Sequence, residues 1–218
     1  MLAKQRLLDK ILENGVIAVI RKVPLEQIDQ LAHSLIAGGV TALEVTVDHP
    51  DAYAAIQTLS RHFDGQAVIG AGTVLDAESA KLAIQHGAQF LLSPSLHPEV
   101  IRTALRYGKV AVPGVMTPTE IIQAVQLGAD LVKVFPASAL GVKYIKDVKS
   151  VFSHVPMIPT GGVDAENASA FVQAGAAAVG VGGNLINKQA MAEGKYEQIT
   201  KLARQLVQTV SRAREEQR

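Results

Sequence analysis

The stretch VAVPGVMTPTEIIQAVQLGADLVKVFP, residues 110–136, contains one complete unit of the pattern that sets the fold. It opens with an apolar run, Val110 to Pro113, and closes with a second, Leu131 to Phe135. Both runs have the length and the near-continuous apolar character of strands buried on two faces, as in a parallel sheet. Between them Thr117, Pro118 and Glu120 form a capping-box pattern. A hydroxyl and a carboxylate three residues apart satisfy amide donors that a helix leaves unpaired at its start, and proline's fixed φ suits the first helical turn. Gly128 then stands where the helix must end in a left-handed residue.

The same unit recurs in both directions along the chain. Apolar runs fall at Val16 to Ile20, Ala42 to Thr46, Ala67 to Ala71, Phe90 to Ser93, Val110 to Pro113, Leu131 to Phe135, Met157 to Pro159 and Ala178 to Val181. Asp76 is placed to cap a helix from Ala77 to His86, and Gly38-Gly39, Gly87, Gly108 and Gly175 stand at or near helix ends. Strict strand–helix alternation predicts parallel strands joined by right-handed crossovers. An open doubly wound sheet gives the same alternation, but eight runs is the count a closed barrel needs. The expected fold is a single (β/α)8 TIM barrel with an N-terminal helix, one domain over residues 1–218. Ile199, Leu202, Ala203, Leu206, Val207 and Val210 make one apolar helical stripe that closes it, and the charged tail Arg212 to Arg218 is expected to fray.

Composition agrees. A chain of 218 residues suits one barrel, and 48% hydrophobic content with only 4% aromatic requires an aliphatic core. With 21 basic and 20 acidic residues the formal charge is +1, and there is no basic stripe of the kind nucleic-acid binding needs, so a small uncharged or anionic ligand is the expected partner. The absence of cysteine excludes disulfides, thiolate nucleophiles and Cys-ligated metals. The opening MLAKQRLLDKILENG intersperses charges with Leu and Ile, unlike a signal peptide or a membrane span, and a cytoplasmic soluble protein is expected.

Barrel active sites lie at the C-terminal ends of the strands, so the polar residues that interrupt or end the apolar runs are the candidates. Lys133 is the only lysine inside such a run, and burying its ammonium without compensation would be costly. Desolvation and a cation such as Arg21 would favour the neutral amine, which can attack a ketone to form an imine; a lysine turned outward, or one paired structurally with Glu44, is the plain alternative. Glu44 interrupts Ala42 to Thr46 in the same way and would supply the proton shuttle that imine chemistry needs. Arg21 offers a fork for a carboxylate, or a salt bridge at the barrel mouth. Thr160-Gly161-Gly162 and Gly180-Val-Gly182-Gly183-Asn184 fall after the seventh and eighth runs, where barrels often cradle phosphate on backbone amides. Gly70-Ala-Gly72 lacks a third glycine and reads as a tight turn, with no cofactor assigned. The six histidines show no metal-ligand spacing, so no metal site is expected, and His49 reads as a solvated loop residue.

Taken together, Val16-Ile-Ala-Val-Ile-Arg21, Gly38-Gly-Val-Thr-Ala-Leu-Glu-Val-Thr46, Ile69-Gly-Ala-Gly-Thr-Val74, Gly87-Ala-Gln-Phe90 with Ser93-Pro94, Val112-Pro-Gly-Val-Met-Thr-Pro118, Lys133-Val-Phe-Pro136 and Pro159-Thr-Gly-Gly162 resemble the 2-keto-3-deoxy-6-phosphogluconate aldolase family, also described as 4-hydroxy-2-oxoglutarate aldolases, over residues 15–190. The resemblance implies a metal-independent class I aldolase without cofactor, usually a homotrimer, splitting a 2-keto-3-deoxy-6-phospho sugar acid into pyruvate and glyceraldehyde 3-phosphate. On that basis Lys133 forms the imine, Glu44 is the acid/base, Thr73 beside Gly72 orients the pyruvyl carboxylate, and Arg21 binds a carboxylate. Thr160, Gly161, Gly162, Gly182 and Asn184 belong to the phosphate loops. Some members carry an arginine where this chain has Asp48-His49, and many place serine where it has Asn184. The same chemistry on 4-hydroxy-2-oxoglutarate or the galactonate epimer stays open. A metal-dependent phosphosugar epimerase would need strand-end histidine and aspartate ligands, and a catalytically dead sugar-binding barrel would be expected to have lost Lys133 or Glu44.

Overall fold

The computed structural model describes residues 3–217. Strands β1 (Val16–Ile20), β2 (Ala42–Thr46), β3 (Val68–Gly72), β4 (Phe90–Leu92) and β5 (Val110–Val112) come first, followed by β6 (Gly114–Val115), β7 (Val132–Val134), β8 (Met157–Pro159) and β9 (Val179–Val181). Helices α1 (Ala3–Glu13), α2 (Ile28–Ala37), α3 (Ala52–His62), α4 (Ala77–Gln85), α5 (Pro98–Arg106), α6 (Pro118–Gln126), α7 (Ala137–Val151), α8 (Ala168–Gln173), α9 (Lys188–Ala192) and α10 (Tyr196–Glu215) alternate with them. Strand ends move by a residue from the expected runs: Ala67, Ser93, Leu131, Phe135 and Ala178 lie just outside, and Gly72 just inside.

Six strands pair in parallel in the order β5-β4-β3-β2-β1-β9, and three more in the order β6-β7-β8. The run expected as one strand from Val110 to Pro113 divides. Pro113 has no N–H to give a ladder, so β5 stays with β4 while β6, beyond the proline, pairs with β7. Even there Lys133 N–H reaches the Pro113 carbonyl at 2.9 Å. A parallel bridge between Thr160 and Gly180, and a bond from Ala177 N–H to the Met157 carbonyl, connect β8 to β9.

Alternation along the strands sorts side chains onto two faces. Ala18, Ile20, Leu43, Val45, Ile69, Ala71, Val132 and Val134 pack outward against the helices. Ile17, Ala42, Val68, Phe90, Val110, Leu131, Ile158 and Ala178 meet one another on the concave face, so the parallel sheet is curled about a second, smaller core. Ile11, Leu7, Leu8 and Leu12 of α1 join that core, giving the amphipathic N-terminal segment its buried side. Of these only Ile11 is fully buried, a burial that contributes on the order of 2 kcal/mol.

Caps form as the sequence dictates. Ser79 N–H donates to Asp76 Oδ1 at 2.6 Å, and Thr117 and Glu120 make both reciprocal bonds of the capping box. Gly39, Gly87, Gly108, Gly128 and Gly175 all take positive φ, whereas Gly38 keeps helical angles. The expectation of a frayed tail is overturned. Helix α10 runs to Glu215 because Ala213 is buried and the Arg214 guanidinium donates to the carbonyls of Glu13, at 2.9 Å, and Ala177. Residue 218 of that tail lies outside the described residues. Among the described residues no helix is long and apolar enough to cross a membrane.

Candidate active site

Because Val132 and Val134 face the helices, Lys133 between them must face the concave side; Leu43 and Val45 impose the same on Glu44. The two charged side chains are therefore driven together by the apolar residues that flank them. Lys133 Nζ lies 3.8 Å from Glu44 Oε1, with the side chains 6% and 1% exposed. This is an ion pair at long range, and neither Glu44 oxygen accepts a hydrogen bond from a described residue. Burial raises the Glu44 pKa above its ordinary value, opposed by the charges of Lys133 and then Arg21. A carboxyl whose pKa is raised in this way holds its proton more readily than an exposed one, which suits it to take up and return a proton in catalysis.

Small residues make room for the pair. Gly72, opposite Thr46 in the β2–β3 register, faces the Glu44 side chain: a Cβ there would stand 2.5 Å from its Cδ and 2.7 Å from its Cγ. Gly180 yields in the same way to Thr160, since a Cβ would come within 2.9 Å of its Cγ2. Phe135 lies beside the amine, with Lys133 Nζ 5.2 Å from the ring centroid.

Lys133 lies on the wall of a cavity of about 430 Å³. Of the residues expected at the site, Arg21, Thr160, Gly161, Gly162, Gly182 and Asn184 share that wall; Glu44, Gly72 and Thr73 do not line it, Glu44 facing Lys133 and Thr73 bonding Arg21. Gly161 and Gly162 require their glycines, with φ of 90° and 79°. At Gly182 a Cβ would meet only ordinary contacts, so its glycine is not a steric necessity. The Asn184 amide donates to the Val163 carbonyl at 3.1 Å and so ties the two glycine-rich turns together. The loop histidine His49 lies away from the cavity, its Nδ1 accepting from Asp51 N–H.

At the mouth, Arg21 Nη1 donates to Asp48 Oδ2 at 2.9 Å and Nη2 donates to Thr73 Oγ1 at 3.1 Å. Burial alone would raise the Asp48 pKa, but a Thr46 hydrogen bond, the Arg21 charge, a backbone amide and Lys22 together lower it. From the sequence, Asp48 stands out only as a departure where some members carry arginine, not as the partner of Arg21, and Phe135 only as part of a matched motif. Both lie on two-residue steps from the charged strand residues, 44-46-48 and 133-135, and that periodicity was the available signal. Among the described residues no three metal-ligating side chains converge.

A buried amine facing a carboxyl of raised pKa, on a cavity edged by a guanidinium and glycine-rich turns, is equipment for an aldolase of the imine-forming class. The comparisons agree. The family model for KDPG and KHG aldolase matches residues 8–202, and the chain belongs to that family. It is 36% identical over 173 residues to the 2-dehydro-3-deoxy-6-phosphogalactonate aldolase of Escherichia coli strain K12, covering 78% of this chain and 83% of that one. It is 35% identical over 199 residues to the 2-dehydro-3-deoxy-phosphogluconate aldolase of Treponema pallidum strain Nichols, covering 89% and 94%. Among solved structures, the KDPG aldolase of Legionella pneumophila, with pyruvate captured as a covalent carbinolamine, superposes with a TM-score of 0.85 at 29% identity, over 94% of this chain and 98% of that one. The chain is thus an aldolase, a carbon–carbon lyase.

Proposed function

We propose that this chain cleaves 2-keto-3-deoxy-6-phosphogluconate to pyruvate and glyceraldehyde 3-phosphate through an imine on Lys133. The observation that carries the reading is the isolated Lys133–Glu44 pair, 3.8 Å apart and with no hydrogen-bonded partner for the Glu44 carboxyl among the described residues. Lys133 Nζ attacks the C2 carbonyl, and Glu44 supplies the proton that lets the carbinolamine lose water. The protonated imine then accepts the electrons of the breaking C3–C4 bond while Glu44, directly or through one water, takes the C4 hydroxyl proton. Glyceraldehyde 3-phosphate departs. The enamine is protonated at C3, and hydrolysis of the imine releases pyruvate and restores Lys133.

Thr73 orients the pyruvyl carboxylate, Arg21 stands at the mouth to bind a carboxylate, and the turns containing Thr160, Gly161, Gly162, Gly182 and Asn184 receive the phosphate. In this reading the curled sheet is a closed (β/α)8 barrel in a single domain of residues 1–218, with β5 and β6 forming one strand interrupted at Pro113; the Thr160–Gly180 bridge supports closure. The protein works as a cytoplasmic homotrimer. A second reading, the same cleavage of the galactonate epimer, is supported by the 36% identity to the Escherichia coli galactonate enzyme.

Borohydride added with pyruvate should inactivate the protein and leave a reduced three-carbon adduct on the peptide that contains Lys133. Adduct on another lysine, or inactivation that does not depend on pyruvate, would refute the assignment.

A further inference from the structure

The Arg21 guanidinium is gripped from two sides, by a carboxylate on the loop after β2 and a hydroxyl just after β3. The grip is held by strained backbone. Lys22, next to Arg21, has φ of 51°, and Thr73, a β-branched residue, has φ of 59°. Such angles persist only where the surroundings enforce them, and they cluster at functional positions. Arg21 reaches from β1 past β2 to Thr73, and its charge is felt at Glu44.

The charges on the cavity wall are few. Lys133 and Arg21 are its ionic residues, and Lys133 is committed to the carbonyl carbon. Asp48, paired at 2.9 Å, cancels much of what Arg21 presents to an incoming anion. A phosphorylated sugar acid tolerates this, because its dianion lies at the far end of the chain, where backbone amides of the glycine turns serve it. A short dicarboxylate keto acid carries its second carboxylate two bonds beyond C3, close to the reacting centre and short of those turns.

From this geometry we infer that Asp48 is a specificity-determining residue: by neutralising Arg21 it makes the site select phosphorylated monocarboxylate keto acids over short dicarboxylate ones. The inference rests on the aldolase reading above and adds to it the residue that sets the substrate class. Asp48 acts through Arg21, as a positioning residue for that cation.

The test compares kcat/KM for 2-keto-3-deoxy-6-phosphogluconate and for 4-hydroxy-2-oxoglutarate in the unaltered chain, Asp48→Asn and Asp48→Glu. Asp48→Asn keeps size and hydrogen-bonding capacity but releases the full Arg21 charge. It should move the ratio towards the dicarboxylate by roughly threefold to tenfold, as expected for a partly exposed unit charge acting across a few ångströms. Asp48→Glu, which keeps the charge, should hold the ratio near that of the unaltered chain. A ratio unchanged in Asp48→Asn, or equal losses on both substrates, reduces Asp48 to a prop for the loop and overturns the inference while leaving the aldolase reading intact. Failure of the unaltered chain to cleave either substrate overturns both.

Discussion

Gly72→Ala tests whether the Glu44 carboxyl must stand where it does. Gly72 has an extended backbone that alanine adopts freely, so conformational strain does not enter. The added methyl instead meets Glu44, 2.5 Å from Cδ and 2.7 Å from Cγ, where carbon atoms settle at about 3.5–4.0 Å. The carboxyl must retreat by about 1 Å, or β3 must shift. Displacement of that size at a reacting centre costs about 100-fold, comparable to losing a general acid–base. Overpacking should cost about 1–3 kcal/mol of stability, which a core of this extent can absorb. The assay is pyruvate release coupled to lactate dehydrogenase, with thermal melting to confirm that the fold persists. A second background sharpens the result: in Glu44→Ala the space is vacated, so adding Gly72→Ala should change little. Wild-type turnover by a folded Gly72→Ala protein, or a further 100-fold loss in the Glu44→Ala background, would refute the reasoning.

Glu44→Gln should lower kcat about 100-fold or more, and it should also change how stability depends on pH. The raised pKa of Glu44 means the folded chain holds a proton that the unfolded chain releases near 4.5, so the unaltered protein loses stability as pH rises from there through the folded pKa. The glutamine variant should escape that loss, gaining on the wild type as pH rises above 4.5 in urea titrations; a constant difference would contradict the cited shift. At Gly183 a Cβ would meet nothing within 4 Å, so Gly183→Asp adds negative charge to the cavity wall without steric cost. It should reduce kcat/KM for the phosphorylated acid at least tenfold more than for an unphosphorylated keto acid, and equal effects would remove phosphate from those turns. Arg214→Ala loses bonds to the Glu13 and Ala177 carbonyls and should cost about 2 kcal/mol, a fall in Tm of roughly 4–8 °C without change in kcat.

The strands were legible because burial on both faces leaves mostly apolar residues in them, and Lys133 and Glu44 because a charge inside such a run has few explanations. The helix caps were equally local: Asp76 and Thr117–Glu120 act within three residues. What escaped depends on partners far along the chain. Pro113 was visible, but that the strand would change partners there follows from where β4 and β7 lie. The tail through Glu215 looked too charged to order, and its helix is held by carbonyls some two hundred and some forty residues away, at Glu13 and Ala177. Gly72 was expected beside the substrate carboxylate on resemblance. Its steric relation to Glu44 comes from the pairing of β2 with β3, which a single sequence does not display.

On the concave face Ile17, Val68, Val110 and Ile158 fill the core with side chains, while Gly70, Gly72 and Gly180 give up a Cβ to Phe90, Glu44 and Thr160. The room for chemistry is thus made by missing atoms rather than by a special backbone. A few methyl groups would displace the side chains that now stand there, and the sequence lies only single substitutions away from a curled sheet of the same outline whose charged pair is out of place. The converse also holds: in a filled sheet of this curl, trimming side chains at strand ends would open a pocket before any catalytic group arrived, so a binding site could precede its chemistry.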